Sequence, residues 1–196
     1  MTTFATLGPA GTNHALVTRR YIEFHGLREA RIALVATFDE AVADILARRA
    51  DFVVQCAVHP DTPRILGANY RRLFAIDSFI SPSRELAILT RAEIVEPTSI
   101  GLVMPATEGY ADLSQWKVRV PERAIPIILE KLLAGQIDSG LVYLDYAERH
   151  PGRFRVEAEL GSPDDVWIVY GRERAYRGEL IACRHGLAAS RYAGRE

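Results

Sequence analysis

The amino-terminal stretch TFATLGPAGTNH, residues 3–14, has the residue types and spacing best suited to bind an anion. A β-prone run over residues 4–7 is broken by Gly-Pro-Ala-Gly, and an apolar-periodic run begins at Thr12 or Asn13. The first N–H groups of a helix have no partner within the helix and lie at its positive end, so a carboxylate or phosphate binds there. We therefore expect a substrate anion to bind at Gly11, Thr12 and Asn13. A capped helix start that binds nothing is the alternative interpretation.

Several side chains could transfer a proton to a substrate held at this junction. His14 follows it directly, His59 lies before a proline, and Glu108 follows a second strand-to-turn junction. Asp164 and Asp165 are adjacent acids that could share one proton if they are buried together. Each residue also has a simpler interpretation: a solvent-facing His14, a turn residue at His59, and strand-cap aspartates.

Three further residues could contact the substrate. Arg84 begins an extended segment and could grip a carboxylate with its planar fork, although a surface ion pair would use it equally well. Thr107, beside Glu108, could clamp the substrate from the second half of the chain. Cys56 ends a strand, where it could contact the substrate or serve as a small buried hydrophobe.

The elements that position these residues alternate between strands and helices. Strands are expected over residues 4–7, 31–35 and 52–54, with one helix after Thr12 or Asn13 and another after Thr37 or Asp39. This β-α-β-α-β order predicts a parallel sheet. Ligands of open α/β sheets bind at the carboxyl ends of the strands, where most of the candidate residues fall.

The second half of the chain begins with turn chemistry over residues 59–63. Its expected elements are extended segments at 73–80 and 85–90, a strand at 99–104, a short helical piece at 110–115, a strand at 117–120, a helix that begins with Pro121 and stops at Gly135, a strand at 138–143, a short helix at 144–149, and strands at 154–160 and 166–170.

We therefore expect an α/β protein with two lobes and a cleft between them. One lobe comprises residues 1–75 with a closing strand in 165–180, and the other comprises residues 85–160. Two crossing strands would link the lobes, and residues 181–196 would form a locally basic, solvated tail.

The composition excludes several classes of function. The chain has 196 residues, of which 48% are hydrophobic and 25% are charged, so it can bury a full core. Its net charge of −1 argues against nucleic acid or an anionic membrane as a partner. Cys56 and Cys183 lack the spacing of a disulfide scaffold or a metal site. With no leader and no apolar run of bilayer length, we expect a cytoplasmic protein.

The opening residues Leu7-Gly8-Pro9-Ala10-Gly11-Thr12 resemble the Gly-Pro-x-Gly-Thr-x-Ser start of prephenate dehydratases. Residues 101–105 resemble the strand of that family that ends in a Ser-His-Pro turn, and residues 124–142 resemble its AA..V..G..DAAI segment. Residues 143–154 are similar to its Tyr-Gly-Leu region. The resemblance covers the chain to about residue 172, and it implies a two-lobed type II periplasmic-binding-protein-like fold, no cofactor, no metal and paired subunits.

The departures from that family are specific. Its Pro-Ile-Glu-Asn-Ser loop would fall on residues 55–59 and its Thr-Arg-Phe motif near residues 164–166, and neither is present. His14 replaces a serine that contacts the substrate, and no regulatory ACT domain is expected. The chain resembles in these respects the non-aromatising prephenate decarboxylase of bacilysin-type pathways.

The resemblance implies a lyase that acts on prephenate or a related cyclic carboxylate by decarboxylation or dehydration. Such an enzyme would anchor one carboxylate and keep the leaving group out of water. The alternative is a non-catalytic protein that binds a small carboxylate, which the missing motifs favour. Because Glu108 and Asp164 also suit a hydroxyl-rich or cationic group, another ring acid is an alternative substrate.

Overall fold

The computed structural model describes residues 1–175 and 177–179, whose strands form two five-stranded sheets. The expected tail, residues 181–196, lies outside the described residues, as does Cys183. Within the described residues, every helix is too short or too polar to cross a membrane.

The first sheet has the strand order β2-β1-β3-β10-β4. Its strands are β1 (Thr3–Leu7), β2 (Arg31–Val35), β3 (Phe52–Cys56), β4 (Phe74–Pro82) and β10 (Asp164–Gly171). The first three strands are parallel, as the β-α-β-α-β pattern predicts, and β10 pairs antiparallel with β3 and β4. Strand β10 therefore returns from the second half of the chain to the sheet that contains the amino terminus.

The helices that cover the first sheet in the described residues are α1 (Asn13–Phe24), α2 (Phe38–Leu46) and α3 (Thr62–Asn69). The first two begin where the sequence predicts, because Thr12 and Thr37 accept hydrogen bonds from N–H groups in the first turn. The third was not predicted: its turn-like start has Pro63 in the first helical turn, where proline is compatible with a helix.

The second sheet has the strand order β7-β6-β8-β5-β9. Its strands are β5 (Leu86–Arg91), β6 (Ser99–Leu102), β7 (Val118–Pro121), β8 (Ser139–Tyr143) and β9 (Phe154–Gly161). Its helices are α4 (Ile125–Leu133), α5 (Asp145–Arg149) and a 3₁₀ helix, Glu108–Tyr110. A Cβ on Gly140 would lie 2.6 Å from Ile128 Cγ2, so this glycine lets α4 pack closely on the sheet.

Two local predictions in this half are wrong. Pro121 ends the edge strand β7 rather than beginning a helix, and edge strands tolerate a residue that lacks an N–H group. The proline in the first turn of the long helix is Pro126. The helical piece expected over residues 110–115 is only the short 3₁₀ helix.

Within the described part of the chain, the backbone crosses between the two sheets twice, through short neighbouring segments. The first crossing, residues 83–85, joins β4 to β5, and the second, residues 162–163, joins β9 to β10. The Ser83 N–H donates to the Pro163 carbonyl at 3.0 Å, and the Ser162 hydroxyl donates to the Ser83 carbonyl at 2.6 Å. The two crossings therefore support one another, and each half of the chain has its own apolar core.

Candidate functional site

A cleft lined by residues from both halves of the chain is the candidate site. It encloses about 810 Å³, part of which is open to solvent. Its walls are mostly apolar, with Leu7, Val58 and Trp167 on one side and Leu86, Val103 and Ile125 on the other. Most of the site residues expected from the sequence line this cleft: Thr12, Asn13, His14, Cys56, His59, Thr107 and Asp165.

Most hydrogen-bond donors at the junction between β1 and α1 are already paired within the protein. The Asn13 N–H donates to the Tyr143 hydroxyl at 3.0 Å, and the Ala15 N–H donates to Thr12 Oγ1 at 3.3 Å. The Thr12 hydroxyl also lies 3.1 Å from the carbonyl oxygens of Leu7 and Pro9. The hydroxyl that the sequence offers to a ligand therefore acts as a helix cap, and little of the expected anion site is free.

Arg84 and Gly11 do not line the cleft. They contact each other at the segment 83–85 that joins the two sheets. The Arg84 guanidinium pairs with Asp145, donates to the Gly11 carbonyl at 3.1 Å and lies 3.9 Å above the centre of the Tyr143 ring. Its side chain is only 16% exposed. The Arg84 backbone N–H also donates to Asn13 Oδ1 at 3.1 Å. The expected carboxylate fork is thus engaged in an ion pair within the protein.

The structure also separates the acidic candidates. Glu108 lies outside the cleft, where its carboxylate accepts from Arg119 at 2.7 Å. Asp164 and Asp165 are consecutive residues of β10, so their side chains point to opposite faces and cannot share a proton. Asp164 is exposed, whereas Asp165 lines the cleft.

Thr107 lines the cleft, but its hydroxyl is used in the turn after β6. It donates to the Val103 carbonyl at 3.1 Å and is 3.2 Å from the Val103 N–H. A hydroxyl that is satisfied by its own turn has little capacity left to clamp a ligand.

The amino end of α4 supplies the cleft with a cation that the sequence analysis did not single out. Arg123 lines the cleft and forms no ion pair or hydrogen bond with any residue in the described ranges 1–175 and 177–179. The N-cap residue of α4 is Ala124, which has no side chain to accept from the first N–H groups. A lone arginine in a loop carries no motif, which is why sequence reasoning missed it.

The amino ends of α1 and α4 lie close together across the cleft. A Cβ on Gly11, just before α1, would lie 3.9 Å from Pro126 Cγ in the first turn of α4. Both helix dipoles therefore direct their positive ends toward this part of the cleft, which favours a bound anion.

His14 and His59 line the first-half wall of the cleft, and both are neutral at neutral pH. Burial lowers the pKa of His14 to about 3, and the neighbouring His59 lowers it as well. Burial also lowers the pKa of His59, against the opposing effect of Asp61. Neither ring is therefore the cationic proton donor that the sequence suggested.

Asp165 is surrounded by groups that keep their protons. It accepts a hydrogen bond from the Ser83 hydroxyl. Burial, together with the Asp165 charge, raises the pKa of the Cys56 thiol to about 11 against a hydrogen bond from the Val58 backbone. Burial and the charges of Asp165 and Cys56 also raise the pKa of Tyr110. Cys56 is therefore a poor nucleophile, and Asp165 is the acid that lines the described part of the cleft.

Across the residues that the structure describes, no group of three or more His, Cys, Asp and Glu side chains could hold a metal ion.

No family model and no curated protein sequence matches this chain. Its structure is similar to the prephenate dehydratase of Arthrobacter aurescens in complex with L-Phe, with a TM-score of 0.64 and 18% identity over 91% of this chain and 63% of that one. It is also similar to the Staphylococcus aureus prephenate dehydratase, with a TM-score of 0.57 and 14% identity over 88% and 67% of the two chains. The periplasmic VFT2 domain of Bordetella pertussis BvgS has a TM-score of 0.56 and 17% identity over 87% and 80%.

The chain thus spans less than two thirds of the length of the Arthrobacter protein. At sequence identities this low, the structural similarity is evidence for a shared fold only. Together with the two sheets and the cleft, it shows that the chain has the two-lobed α/β fold shared by prephenate dehydratases and periplasmic binding proteins.

Proposed function

We propose that the protein is a lyase that removes CO₂ or water from prephenate or a related small cyclic carboxylate without a cofactor. The observation that carries this proposal is the placement of Arg123, a cation with no partner in the described residues, in an apolar cleft that also contains Asp165. The fold shared with prephenate dehydratases supports the substrate class.

Arg123 would hold the substrate carboxylate that stays on the molecule. Charge-assisted hydrogen bonds from a guanidinium are among the strongest that a protein offers, and the planar fork orients the acid. The amino ends of α1 and α4 add to the positive potential there. Substrate binding would thus place the ring against the apolar walls.

The apolar walls would favour loss of CO₂. In decarboxylation the carbon–carbon bond to the carboxylate breaks and its electron pair moves into the ring system. A poorly solvated carboxylate is disfavoured more than the delocalised transition state, so the barrier falls. The proton taken up by the ring, or by a departing hydroxide, would come from a group that is protonated at neutral pH, such as Tyr110 or Cys56.

Incubation with prephenate at neutral pH tests the proposal directly. We expect the prephenate signal to decrease, with phenylpyruvate or a dihydro-hydroxyphenylpyruvate appearing in the chromatogram. We expect Arg123→Gln to lose most of this activity, while Arg119→Gln, on the surface of the same half, keeps it. Prephenate that stays unchanged with the wild-type protein would reject this substrate.

A non-catalytic small-carboxylate binding protein is the second candidate. The observation that favours it is that each imidazole in the cleft already accepts a backbone N–H, so neither ring has a nitrogen free to act as a base. A thermal-shift screen of ring acids, followed by turnover assays on every hit, separates the two functions. A ligand that raises the melting temperature and is never transformed would support the binding protein.

The sequence resemblance also implies a homodimer, and the composition favours a cytoplasmic location; we propose both. Light scattering on the purified full chain tests the pairing, with a mass of twice 21.8 kDa expected and a mass of 21.8 kDa contradicting it.

A further inference from the structure

His14 and His59 form a pair of neighbouring rings in the wall of the cleft. Their ring centres are 5.8 Å apart at an interplanar angle of 84°, and both rings contact Phe38. The His14 ring also lies 5.0 Å from Trp167. These aromatic contacts hold both imidazoles in place, and the Asp61 carboxylate lies 4.0 Å from His59 Nδ1.

Backbone hydrogen bonds determine which nitrogen of each ring carries the proton. The Cys56 N–H points to His14 Nε2 at 3.4 Å, and the Asp61 N–H points to His59 Nδ1 at 3.1 Å. A backbone N–H can only donate, so both of these ring nitrogens must be acceptors. In a neutral imidazole the other nitrogen then carries the hydrogen, which gives His14 Nδ1–H and His59 Nε2–H.

Neither of these two N–H groups has an acceptor within residues 1–175 and 177–179. Neither nitrogen is among the buried side-chain atoms that lack a partner, so both are accessible and can donate to a group bound in the cleft. Because both rings line the cleft, an oxygen atom of a ligand is the natural acceptor.

We infer that this wall recognises a keto or hydroxyl oxygen of the ligand through His14 Nδ1–H and His59 Nε2–H. The inference rests on the proposed function, since it assumes that Arg123 holds the ligand carboxylate. It assigns the two histidines to substrate recognition, whereas the sequence suggested proton transfer. Uncharged donors suit an uncharged oxygen, and they also stabilise such an oxygen if it gains negative charge during a reaction. The ligand class is therefore an oxo or hydroxy acid.

Nitrogen NMR of the histidine-labelled protein tests the tautomers without any ligand. At neutral pH we expect the Nδ1–H form for His14 and the Nε2–H form for His59. The opposite tautomer at either ring, or a cationic ring, would overturn the inference. The result does not depend on turnover of prephenate, so failure of the proposed lyase activity and failure of this inference are distinguishable.

Affinity for two matched probes tests the recognition itself. Benzoylformate and phenylacetate both carry a phenyl ring and a carboxylate. Between these groups benzoylformate has a keto carbon, and phenylacetate has a CH₂ group. We expect calorimetry to show that the wild-type protein binds benzoylformate about tenfold more tightly. This ratio corresponds to the net free energy of one additional hydrogen bond. Equal affinity, or binding of neither probe at millimolar concentration, would overturn the inference.

Amide substitutions distinguish the two ring positions. An Asn amide can occupy the place of Nδ1 and a Gln amide the place of Nε2. We therefore expect His14→Asn and His59→Gln to keep most of the preference for benzoylformate, and His14→Phe and His59→Leu to lose it. Retention of the full preference in both apolar variants would contradict the assignment. Circular dichroism of each variant checks that it is folded.

Discussion

The amino ends of α1 and α4 face the same cleft but differ in what they leave unsatisfied. At α1, Thr12 caps the helix and the Tyr143 hydroxyl accepts from the Asn13 N–H. At α4, the cap residue Ala124 has no polar side chain, and the adjacent Arg123 has no partner in the described part of the chain. The Thr12 hydroxyl and the Asn13 N–H are therefore used within the protein, whereas the start of α4 offers an anion the Arg123 guanidinium.

This difference follows from how polar groups behave near a folded core. A hydroxyl or N–H close to backbone acceptors bonds within the protein, because leaving it unpaired costs free energy. A guanidinium at the cleft edge can remain hydrated until a ligand arrives, so it stays available. An anion-binding site in this protein is therefore indicated by hydrogen-bond donors that have no partner within the protein, rather than by the total number of donors.

The largest expected effect comes from removal of the Arg123 guanidinium. Arg123→Gln should weaken binding of phenylacetate by about 10- to 100-fold, the usual cost of losing a hydrogen bond to a charged group. Stability should change little, because Arg123 bonds to no residue that the structure describes. Calorimetry and thermal denaturation measure the two effects.

The matched control for this prediction is Arg119→Gln. Arg119 pairs with Glu108 outside the cleft, so its replacement should leave the affinity unchanged. Equal losses of affinity in the two variants would show that general charge, rather than the α4 end, attracts the ligand.

Acid should weaken the α1 side of the cleft through His14. Its folded-state pKa of about 3 lies below the ordinary value of 6.5, so below pH 6.5 the unfolded chain binds a proton that the folded chain does not. The free energy of unfolding should therefore fall as the pH drops from 6.5 toward 3, by at most about 1.4 kcal/mol per pH unit from this group. His14→Asn should reduce that slope in urea titrations, and an unchanged slope would contradict the neutral burial of His14.

Loss of the α1 cap should affect stability more than binding. Thr12→Val removes the acceptor for the Ala15 N–H and should lower the free energy of unfolding by about 1 kcal/mol. Thr12→Ser, which keeps the hydroxyl, should retain most of the stability. Affinity for phenylacetate should change less than about twofold in both. A large loss of affinity without loss of melting temperature would return the anion site to α1.

The smallest expected effect comes from a substitution that frees an N–H group at the start of α1, as Tyr143→Phe does. Tyr143→Phe removes the acceptor for the Asn13 N–H but keeps the ring below Arg84. The free energy of unfolding should fall by about 0.5–1.5 kcal/mol, the net value of one hydrogen bond. The Asn13 amide resonance should then respond to added phenylacetate more strongly than in the wild type. An unchanged response would mean that this N–H is not a potential ligand donor.

Periodicity and turn residues predicted the architecture well where local signals agree with tertiary packing. The strands over residues 31–35 and 52–54 and the cap at Thr37 follow directly from short continuous apolar runs and helix-start chemistry. The sequence missed α3, because Asp61 and Pro63 are typical of turns as well as of a first helical turn. Pro121 was misassigned for the converse reason, since an edge strand also accepts proline.

The candidate site was predicted in part, because residue type does not reveal which partner a group finds. His14, His59 and Asp165 line the cleft as expected. Arg84 is instead paired with Asp145, which is distant in sequence. Arg123 carries no sequence signal; its position in the cleft and its lack of a partner among residues 1–175 and 177–179 are features of the folded structure.

A crystal structure of the full chain with bound benzoylformate tests the central claim most directly. We predict that the carboxylate lies within hydrogen-bonding distance of the Arg123 guanidinium, with its keto oxygen toward His14 and His59. A carboxylate on the N–H groups at Thr12 and Asn13, with Arg123 turned into solvent, would contradict the account.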